Sequence, residues 1–468
     1  MFIFFCAAIG SRLHGHLTQR KKKQMFSKKQ QRAVNLRNWY GIELQEALSE
    51  AELLESPAGR RLLGITISPG GRRYYYIQQL GEGAFGTVYA ASSDRNQLNN
   101  KMYAVKEIET EAETRLVRSA GDEPATPYQE YEFTDMYVER EYLVSKLLDR
   151  RLGESFCDQN AVCAVERFYR LDQQRGFIVF PYTTPRTLGT YLAKFLHNRM
   201  QELDKEFADK FKGNTIDAEQ LDRLIVQTLP FSKQRTLYLR SLLIKLRDLQ
   251  LVALTLAMQI CKSVALMHAA HTFHVDIKPE NILVVGGETD ATRNQLRALL
   301  IDFGLTCAAE IASDQQLSEI ERTLLTCDDR YETSELYQDP LAVTTRVSDV
   351  RDRNARFFWQ LEMYGKYDTY AVGKTLQTIF DPALLTKFGT PIAYPTVRST
   401  KYMPRGVFEL ISEMTGEQNF QPPLSGMDRL TDEELEERQF AFKHRPTMSE
   451  VVVQLANIQS VWLSKSQK

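Results

Sequence analysis

The chain from Tyr74 onward carries three short runs dominated by strand-forming aromatic and β-branched residues. The runs are YYYIQQL, GEGAFGTVYAASS and KMYAVKEIE, and they predict two strands joined by a glycine-rich loop and then a third strand. Residues 110–134 are polar, contain Gly and Pro, and predict a loop. The stretch TDMYVEREYLVSKLLDR then has the apolar period of a helix, and RFYRLDQQRGFIVFPY predicts a strand hairpin. This first region is therefore predicted to be mostly β-structure with one helix.

After Thr183 the hydrophobic pattern becomes helical. TLGTYLAKFL predicts one helix, and residues 200–245 predict a long, charged, mostly helical insert. LQLVALTLAMQICKSVALMHAAH is apolar on most sides, which is typical of a helix buried in a core. A last helix is predicted over SEVVVQLANIQSVWL. A run of strands followed by a run of helices places the chain in the α+β class.

Composition and charge narrow the classes of protein to consider. The 468 residues are 43% hydrophobic, which is enough for one large or two ordinary domains. The 59 basic and 60 acidic residues nearly cancel, which argues against a nucleic-acid-binding protein. The six cysteines include no C-x-x-C pair, so neither a dense disulfide framework nor a zinc ribbon is indicated. No apolar run approaches the roughly 20 residues of a membrane helix, so no transmembrane segment is predicted.

Residues 1–73 form an extension ahead of the first predicted strand. MFIFFCAAIG at residues 1–10 fits either a short secretory signal or a hydrophobic end, so the predicted location is secreted in the first case and cytoplasmic in the second. A tract of nine Lys and Arg residues follows, with no acidic residue before Glu43. It predicts either a solvated tail or an arm for peripheral contact with an anionic membrane surface. ELQEALSEAELLE at 43–55 predicts a short amphipathic helix.

A glycine-rich loop joins the first two predicted strands. GEGAFGTV places Gly81, Gly83, Gly86 and Val88 in G-x-G-x-x-G-x-V spacing, and such glycines let backbone N–H groups approach phosphates. In a dinucleotide-binding fold this loop opens a helix, and an acidic residue follows about 20 residues later. Here a strand follows instead, and Lys106 arrives in YAVKEI. The context favours a nucleotide site in which Lys106 pairs with the α- and β-phosphates.

Lys106 on a buried strand requires a carboxylate partner, and the predicted helix VEREYLVSKLL offers two. With Glu141 facing inward, Ser145 lies on the same helix face among apolar residues. With Glu139 facing inward, Lys146 lies on the buried face instead. Glu141 is therefore favoured as the partner, and Glu139 stays open as the alternative.

Two further motifs follow in order along the chain. HVDIKPEN places His274, Asp276, Lys278 and Asn281 in H-x-D-x-K-x-x-N spacing, and LLIDFGLT then supplies Asp302 at the start of D-F-G. The carboxylate of Asp276 is suited to orienting and deprotonating a substrate hydroxyl, and Lys278 to neutralising a transferring phosphoryl group. Asn281 and Asp302 are suited to holding Mg²⁺.

Together these motifs resemble the eukaryotic protein kinase superfamily, and the resemblance covers most of the chain. It implies a two-lobed protein kinase fold over about residues 74–462. The N-lobe, about 74–182, is small and β-rich with one main helix, and the C-lobe, about 183–462, is larger and mostly helical with insertions. ATP and Mg²⁺ are the implied cofactors, and a protein is the implied substrate of a chain expected to be a monomer.

The resemblance also assigns roles to individual residues. Asp368, in YDTYAVG, is implied to anchor the catalytic loop, and Phe180 to guard the back of the adenine pocket. The implied catalytic residues are Asp276, Lys278, Lys106 and Glu141, and the implied metal ligands are Asn281 and Asp302. The implied nucleotide-binding residues are Leu80, Gly81, Glu82, Gly83, Ala84, Phe85, Gly86, Val88, Ala104, Lys106, Phe180, Tyr182, Thr183 and Leu283.

The sequence departs from the family pattern at two positions. Val275 stands where most members carry an arginine before the catalytic aspartate. Leu341, in QDPL, stands where an A-P-E motif has its glutamate, so Arg445 in HRPT lacks its usual partner. Together with the helical insert and the basic N-terminal arm, these departures resemble the secreted rhoptry kinases of apicomplexan parasites.

Two functions follow from these observations. The first is an active serine/threonine kinase, because Lys278 two residues after Asp276 is the serine/threonine pattern of the family. The second is a pseudokinase that acts as a binding or allosteric scaffold. Lys106, Asp276, Asn281 and Asp302 are all present, which favours catalysis. The candidate phosphorylation sites after D-F-G are Thr323, Thr326, Tyr331, Thr333 and Ser334.

Overall fold

The computed structural model describes a mixed α+β protein with a curled β-sheet and a mostly helical remainder, which confirms the predicted class. The chain divides into two compact units. One contains the described residues up to Glu109 together with Phe168–Gly176, and the other contains those of Thr110–Arg167 and from Phe177 onward. The described residues are 63–68, 71–83, 86–94, 102–109, 135–170, 175–183, 186–211, 217–286, 295–309, 316–327, 353–381, 402–404, 406–416 and 442–466.

The main sheet has six strands in the order β1-β2-β3-β4-β6-β5. Aromatic and β-branched residues populate these strands, and Tyr76 stacks on Tyr89 of the neighbouring strand with 4.5 Å between ring centroids. Residues 64–67, which the sequence placed in the N-terminal extension, pair with β2, so the sheet begins before Tyr74. The strands are β1 (Gly64–Ile67), β2 (Arg73–Gly83), β3 (Gly86–Ser92), β4 (Met102–Glu109), β5 (Glu166–Arg170) and β6 (Arg175–Pro181).

The larger unit contains ten α-helices among its described residues. They are α1 (Asp135–Leu152), α2 (Glu154–Gln159), α3 (Leu188–Tyr191), α4 (His197–Phe211), α5 (Ala218–Thr228), α6 (Lys233–Ala269), α7 (Glu319–Leu325), α8 (Arg353–Phe380), α9 (Val407–Thr415) and α10 (Met448–Ser466). A π-helical segment, Leu192–Leu196, links α3 to α4. The unit also has two small antiparallel sheets, formed by β7 (Thr272–Phe273) with β10 (Cys307–Ala308) and by β8 (Ile282–Val285) with β9 (Arg297–Leu300).

The helix α6 is longer than the sequence pattern indicated. The second half of the predicted insert and the apolar core helix form one continuous helix of 37 residues, which begins at the N-cap Ser232. Within the described part of the chain it is the one helix long and apolar enough to cross a membrane, and 67% of its most apolar window is buried inside the protein. Such burial is typical of a helix in a protein core.

Two disulfides were not predicted from the sequence. Cys157 bonds to Cys163, and Cys307 bonds to Cys327 across 20 residues of chain. Cys261 is a buried free thiol.

A buried histidine in the helical core gives the first testable prediction. Burial lowers the pKa of His197 from 6.5 to about 4, and the nearby backbone of Thr378 and Ile379 offsets only part of that effect. The unfolded chain therefore takes up this proton below pH 6.5, while the folded chain resists it. We expect His197 to remove about 2 to 3 kcal/mol of stability between pH 7 and pH 4.5.

Urea unfolding of the wild type and His197→Gln at both pH values measures this contribution. The wild type should lose more stability on acidification than the variant does. Parallel losses in the two proteins would show that His197 does not contribute to the pH dependence.

Candidate active site

The loop from His274 to Asn281 is positioned by the two small sheets of the helical unit. It follows β7 and leads directly into β8. In the antiparallel β8–β9 pair, Ile282 lies opposite Leu300, and the Ile301 amide donates to the Asn281 carbonyl at 3.0 Å. Asn281, just before β8, and Asp302, just after β9, therefore lie at the same end of this hairpin. The two predicted metal ligands are brought to one place by strand pairing.

The side chain of Asp276 is the centre of a tight polar cluster. Lys278 Nζ lies 3.0 Å from its Oδ1 and 2.7 Å from its Oδ2. Asn281 Nδ2 donates to Oδ2 at 2.7 Å and to the Asp276 carbonyl at 2.9 Å. The carboxylate is buried and each oxygen faces a donor, so its direction is fixed. The two hydrogen bonds from Nδ2 also orient the side-chain amide of Asn281. Its other polar atom, Asn281 Oδ1, can accept a hydrogen bond or bind a cation.

The backbone of this loop is held by Asp368 of helix α8. The carboxylate of Asp368 is buried and accepts from the amides of His274 and Val275, each at 2.8 Å. His268 Nε2 lies 3.0 Å from the same carboxylate. The anchoring role expected for Asp368 is consistent with these contacts, whereas the contribution of His268 was not expected.

Val275 has an unusual backbone conformation that explains the need for this anchor. Its φ is 69°, in the left-handed region that β-branched residues rarely adopt. Such a conformation costs on the order of 1–3 kcal/mol and persists only where the surroundings hold it. The two charge-assisted bonds to Asp368 supply that restraint next to Asp276.

The side chain of Val275 lies in an apolar cluster beneath the loop. The cluster contains Phe273, both cysteines of the Cys307–Cys327 disulfide, and Tyr364 and Tyr367 of α8 among its buried members. An arginine at this position would bring a charge into this cluster, and burying an unpaired charge is costly. The valine therefore belongs to a packed core that includes the segment after Asp302.

The first residues after Asp302 are also tied to the loop. Asp302 has φ 63° and ψ 73° and is followed by one turn of 3-10 helix over Phe303–Leu305. The Phe303 ring is fully buried and its centroid lies 5.3 Å from that of His274. Thr306 Oγ1 donates to the His274 carbonyl at 3.2 Å, and His274 Nε2 lies 3.1 Å from the Ile301 carbonyl. His274 is thus a packing and positioning residue.

The glycine-rich hairpin lies in the strand-rich unit. Gly83 pairs with Gly86 at its end, and Gly86 has φ 142°. A Cβ at Gly86 would lie 2.2 Å from the Glu107 carbonyl oxygen, so only glycine fits there. Lys106 on β4 is buried and lies opposite Val88 in the strand register, so these two side chains share one face of the sheet.

The two candidate partners of Lys106 differ in their surroundings. Glu139 is partly exposed and accepts from Arg167 at 2.7 Å, so its charge is already paired. Glu141 is buried. The Ser145 hydroxyl on the same face donates to the Glu141 carbonyl at 2.9 Å and accepts from the Ala164 amide at 2.9 Å, which accounts for a serine on the buried face. The pairing of Lys106 with Glu141 stays a prediction.

The remaining predicted nucleotide-binding residues are distributed over both units. Leu80, Val88 and Ala104 are half-buried on the strands β2, β3 and β4. Phe180 is buried on β6, Tyr182 and Thr183 follow it half-buried, and Leu283 is half-buried on β8. Gly81 and Glu82 are exposed on β2. Ala84 and Phe85 lie outside the described residues, as do the extension at residues 1–62, Leu341 and the candidate phosphosites Tyr331, Thr333 and Ser334.

Arg445, whose partner the sequence left open, makes contacts with a backbone carbonyl and with two aromatic rings. Its Nη1 donates to the Lys366 carbonyl at 2.9 Å. Its guanidinium lies over the rings of Tyr370 and Phe442, 5.3 and 5.2 Å from their centroids. A carbonyl and two aromatic faces therefore contribute to holding a buried cation.

Glu280 is a carboxylate in the loop that sequence reasoning passed over. Burial raises its pKa, Lys278 opposes that effect, and the neighbouring charge of Asp276 adds to it. Its Oε2 has no hydrogen-bond partner among the described residues. Glu280 therefore lies next to the Asp276 cluster, but its Oε2 makes no hydrogen bond to the described residues of that cluster.

No family model and no curated protein matches this sequence. The assignment of function therefore rests on the motifs and on the geometry of the loop.

Proposed function

We propose that the protein is an ATP- and Mg²⁺-dependent serine/threonine protein kinase with a two-lobed kinase fold. The observation that carries the proposal is the Asp276 cluster, in which Lys278 and Asn281 contact one buried carboxylate while Asp368 holds the backbone. A carboxylate fixed in this way is prepared to accept the proton of a substrate hydroxyl. Lys278 is positioned next to it as the cation that neutralises charge on the transferring phosphoryl group.

The chemistry of the donor set supports Mg²⁺ as the metal. Asn281 offers an amide oxygen and Asp302 a carboxylate, and Mg²⁺ prefers such oxygen ligands. When bound, Mg²⁺ would supply positive charge that neutralises the phosphates. Lys106 is proposed to bind the α- and β-phosphates.

Nucleotide binding is tested by thermal unfolding with and without MgATP. At about 100 times its Kd, a ligand that binds only the folded state adds nearly 3 kcal/mol to stability. We expect a shift of this size in the wild type and its loss in Lys106→Met and Asp302→Asn. The matched controls, Lys262→Met and Asp158→Asn, alter exposed side chains of the same types and should keep the full shift.

The absence of any MgATP-dependent shift in the wild type would argue strongly against the nucleotide site. A shift in the wild type without phosphoryl transfer would instead favour the scaffold function.

Activation is expected not to depend on a phosphate bound next to Asp276. In most kinases the arginine before the catalytic aspartate is neutralised by a phosphorylated residue, whereas Val275 is apolar and packed. Thr323 and Thr326 donate instead to the helix carbonyls of Glu319 and Arg322, at 2.9 and 2.7 Å. We therefore expect each phosphosite variant to keep most of the wild-type activity.

The variants are Thr323→Ala, Thr326→Ala, Tyr331→Phe, Thr333→Ala and Ser334→Ala, measured as initial rates of phosphoryl transfer. A loss of 100-fold or more in any one of them, about 3 kcal/mol of transition-state stabilisation, would contradict this expectation.

A further inference from the structure

The helices α5 and α6 form a hairpin whose turn lies within the predicted insert and presents apolar side chains to solvent. Helices α5 and α6 are joined by four residues, Leu229–Ser232. Around this connection Val226 is 71% exposed, Leu229 54% and Phe231 87%. We call these three residues the hairpin tip. An exposed cluster of large apolar side chains of this kind marks an interaction site more often than a single exposed residue does.

The two helices of the hairpin are capped and packed against the core, so the exposure of the tip does not result from poor packing of the hairpin. Asp217 and Gln220 form a capping box at the start of α5, and Ser232 caps α6. Asp222 on α5 accepts from Arg247 on α6 at 2.7 Å. Behind the tip, Leu221 and Ile225 of α5 are buried in the main core together with residues of α6. The tip residues therefore stay in solvent while their neighbours are packed.

Basic residues predominate in the sequence around the tip. From Arg223 to Arg247 the sequence contains six basic residues and no acidic residue. Lys233, Arg235 and Arg240 are exposed and make no ion pair within the part of the chain that the structure describes. An exposed apolar group flanked by exposed cations matches an anionic lipid surface, since the apolar side chains enter the interface while the cations meet the headgroups.

We propose that the hairpin tip inserts into the interface of a membrane containing anionic lipids. The tip lies at the turn between two packed helices and its side chains are exposed, which suits insertion into a lipid surface better than it suits the binding of a peptide in a groove. This contact is independent of the proposed kinase activity and of the basic N-terminal tract. The proposed contact assigns a role to the helical insert, for which the family resemblance implied none.

Cosedimentation of the full-length protein with phosphatidylcholine vesicles, with and without phosphatidylserine, tests the proposal. The wild type should partition onto the phosphatidylserine vesicles, and more weakly at high salt. Phe231→Ser should lower the partition coefficient at least about tenfold. Lys233→Gln with Arg235→Gln should lower it about thirtyfold. The matched control Val453→Ser alters an exposed apolar residue of α10 and should bind as the wild type does.

The basic tract at residues 12–37 is a second candidate for contact with anionic vesicles, so a measurement that reports on the tip alone is needed. In Phe231→Trp the introduced indole should be quenched by brominated lipids, whereas in Val453→Trp it should not. Tip variants that bind vesicles as the wild type does would overturn the proposal. So would an unquenched indole, or tip variants that only convert a dimer to a monomer in analytical ultracentrifugation.

Discussion

Replacing Asp276 by asparagine should lower the rate of phosphoryl transfer about a thousandfold while leaving the KM for ATP within about threefold. Asparagine keeps the shape of the side chain but has no basic oxygen to accept a proton, and general-base catalysis contributes about 10²–10⁴ to a rate. A thousandfold loss corresponds to about 4 kcal/mol. The nucleotide is proposed to bind through other residues, so its binding should be nearly unchanged.

Glu280→Gln is the matched control for this substitution. It removes a carboxylate from the same loop, four residues further on, whose Oε2 has no hydrogen-bond partner among the described residues. Because burial already raises the pKa of Glu280, the neutral amide should be tolerated and the rate should stay within about threefold of wild type. Equal losses in both variants would indicate a general disturbance of the loop. An Asp276→Asn variant with wild-type activity would exclude Asp276 as the base.

Removal of the Cys307–Cys327 disulfide should have the second large effect. A link that closes about 20 residues stabilises a protein by about 3 kcal/mol through the entropy of the unfolded chain. Both sulfurs also lie in the apolar cluster with Val275, under the loop that holds Asp276. We expect Cys307→Ser with Cys327→Ser to lose about 3 kcal/mol of stability and at least about tenfold in phosphoryl-transfer rate.

The second disulfide supplies the control. The Cys157–Cys163 disulfide joins residues that are only 6 apart in sequence, and neither cysteine belongs to the apolar cluster around Val275. Its removal should cost about 2 kcal/mol and leave the rate per folded molecule unchanged. Denaturant unfolding measures the loss of stability. Phosphoryl-transfer rates at a temperature where all variants are folded measure the effect on activity separately. If the Cys307–Cys327 variant kept the full rate, the bond would be structural and not a support of the catalytic loop.

The local elements were predictable because their patterns are local. The helical period over TDMYVEREYLVSKLLDR predicted α1, and the glycine spacing predicted the end of the β2–β3 hairpin. The same helix pattern favoured Glu141 over Glu139 as the partner of Lys106, and this choice stays a prediction. In each case the information lies within a few residues of the feature.

The features that were missed depend on contacts between distant parts of the chain. Six scattered cysteines do not reveal which will meet, so the two disulfides could not be predicted from spacing. The environment of Val275 depends on α8 and on the segment around Cys327. The contacts of Arg445 with the Lys366 carbonyl and two aromatic rings likewise require the folded chain.

The most direct test of the proposed activity is a time course of phosphate transfer from ATP to a generic basic protein in the presence of Mg²⁺. Wild type and Asp276→Asn are compared at equal concentrations of folded protein, and the products are identified by mass spectrometry. We predict phosphate on serine and threonine with the wild type and about a thousandfold less with the variant. The absence of phosphate transfer by both proteins, or transfer that does not depend on Asp276, would contradict the proposed function.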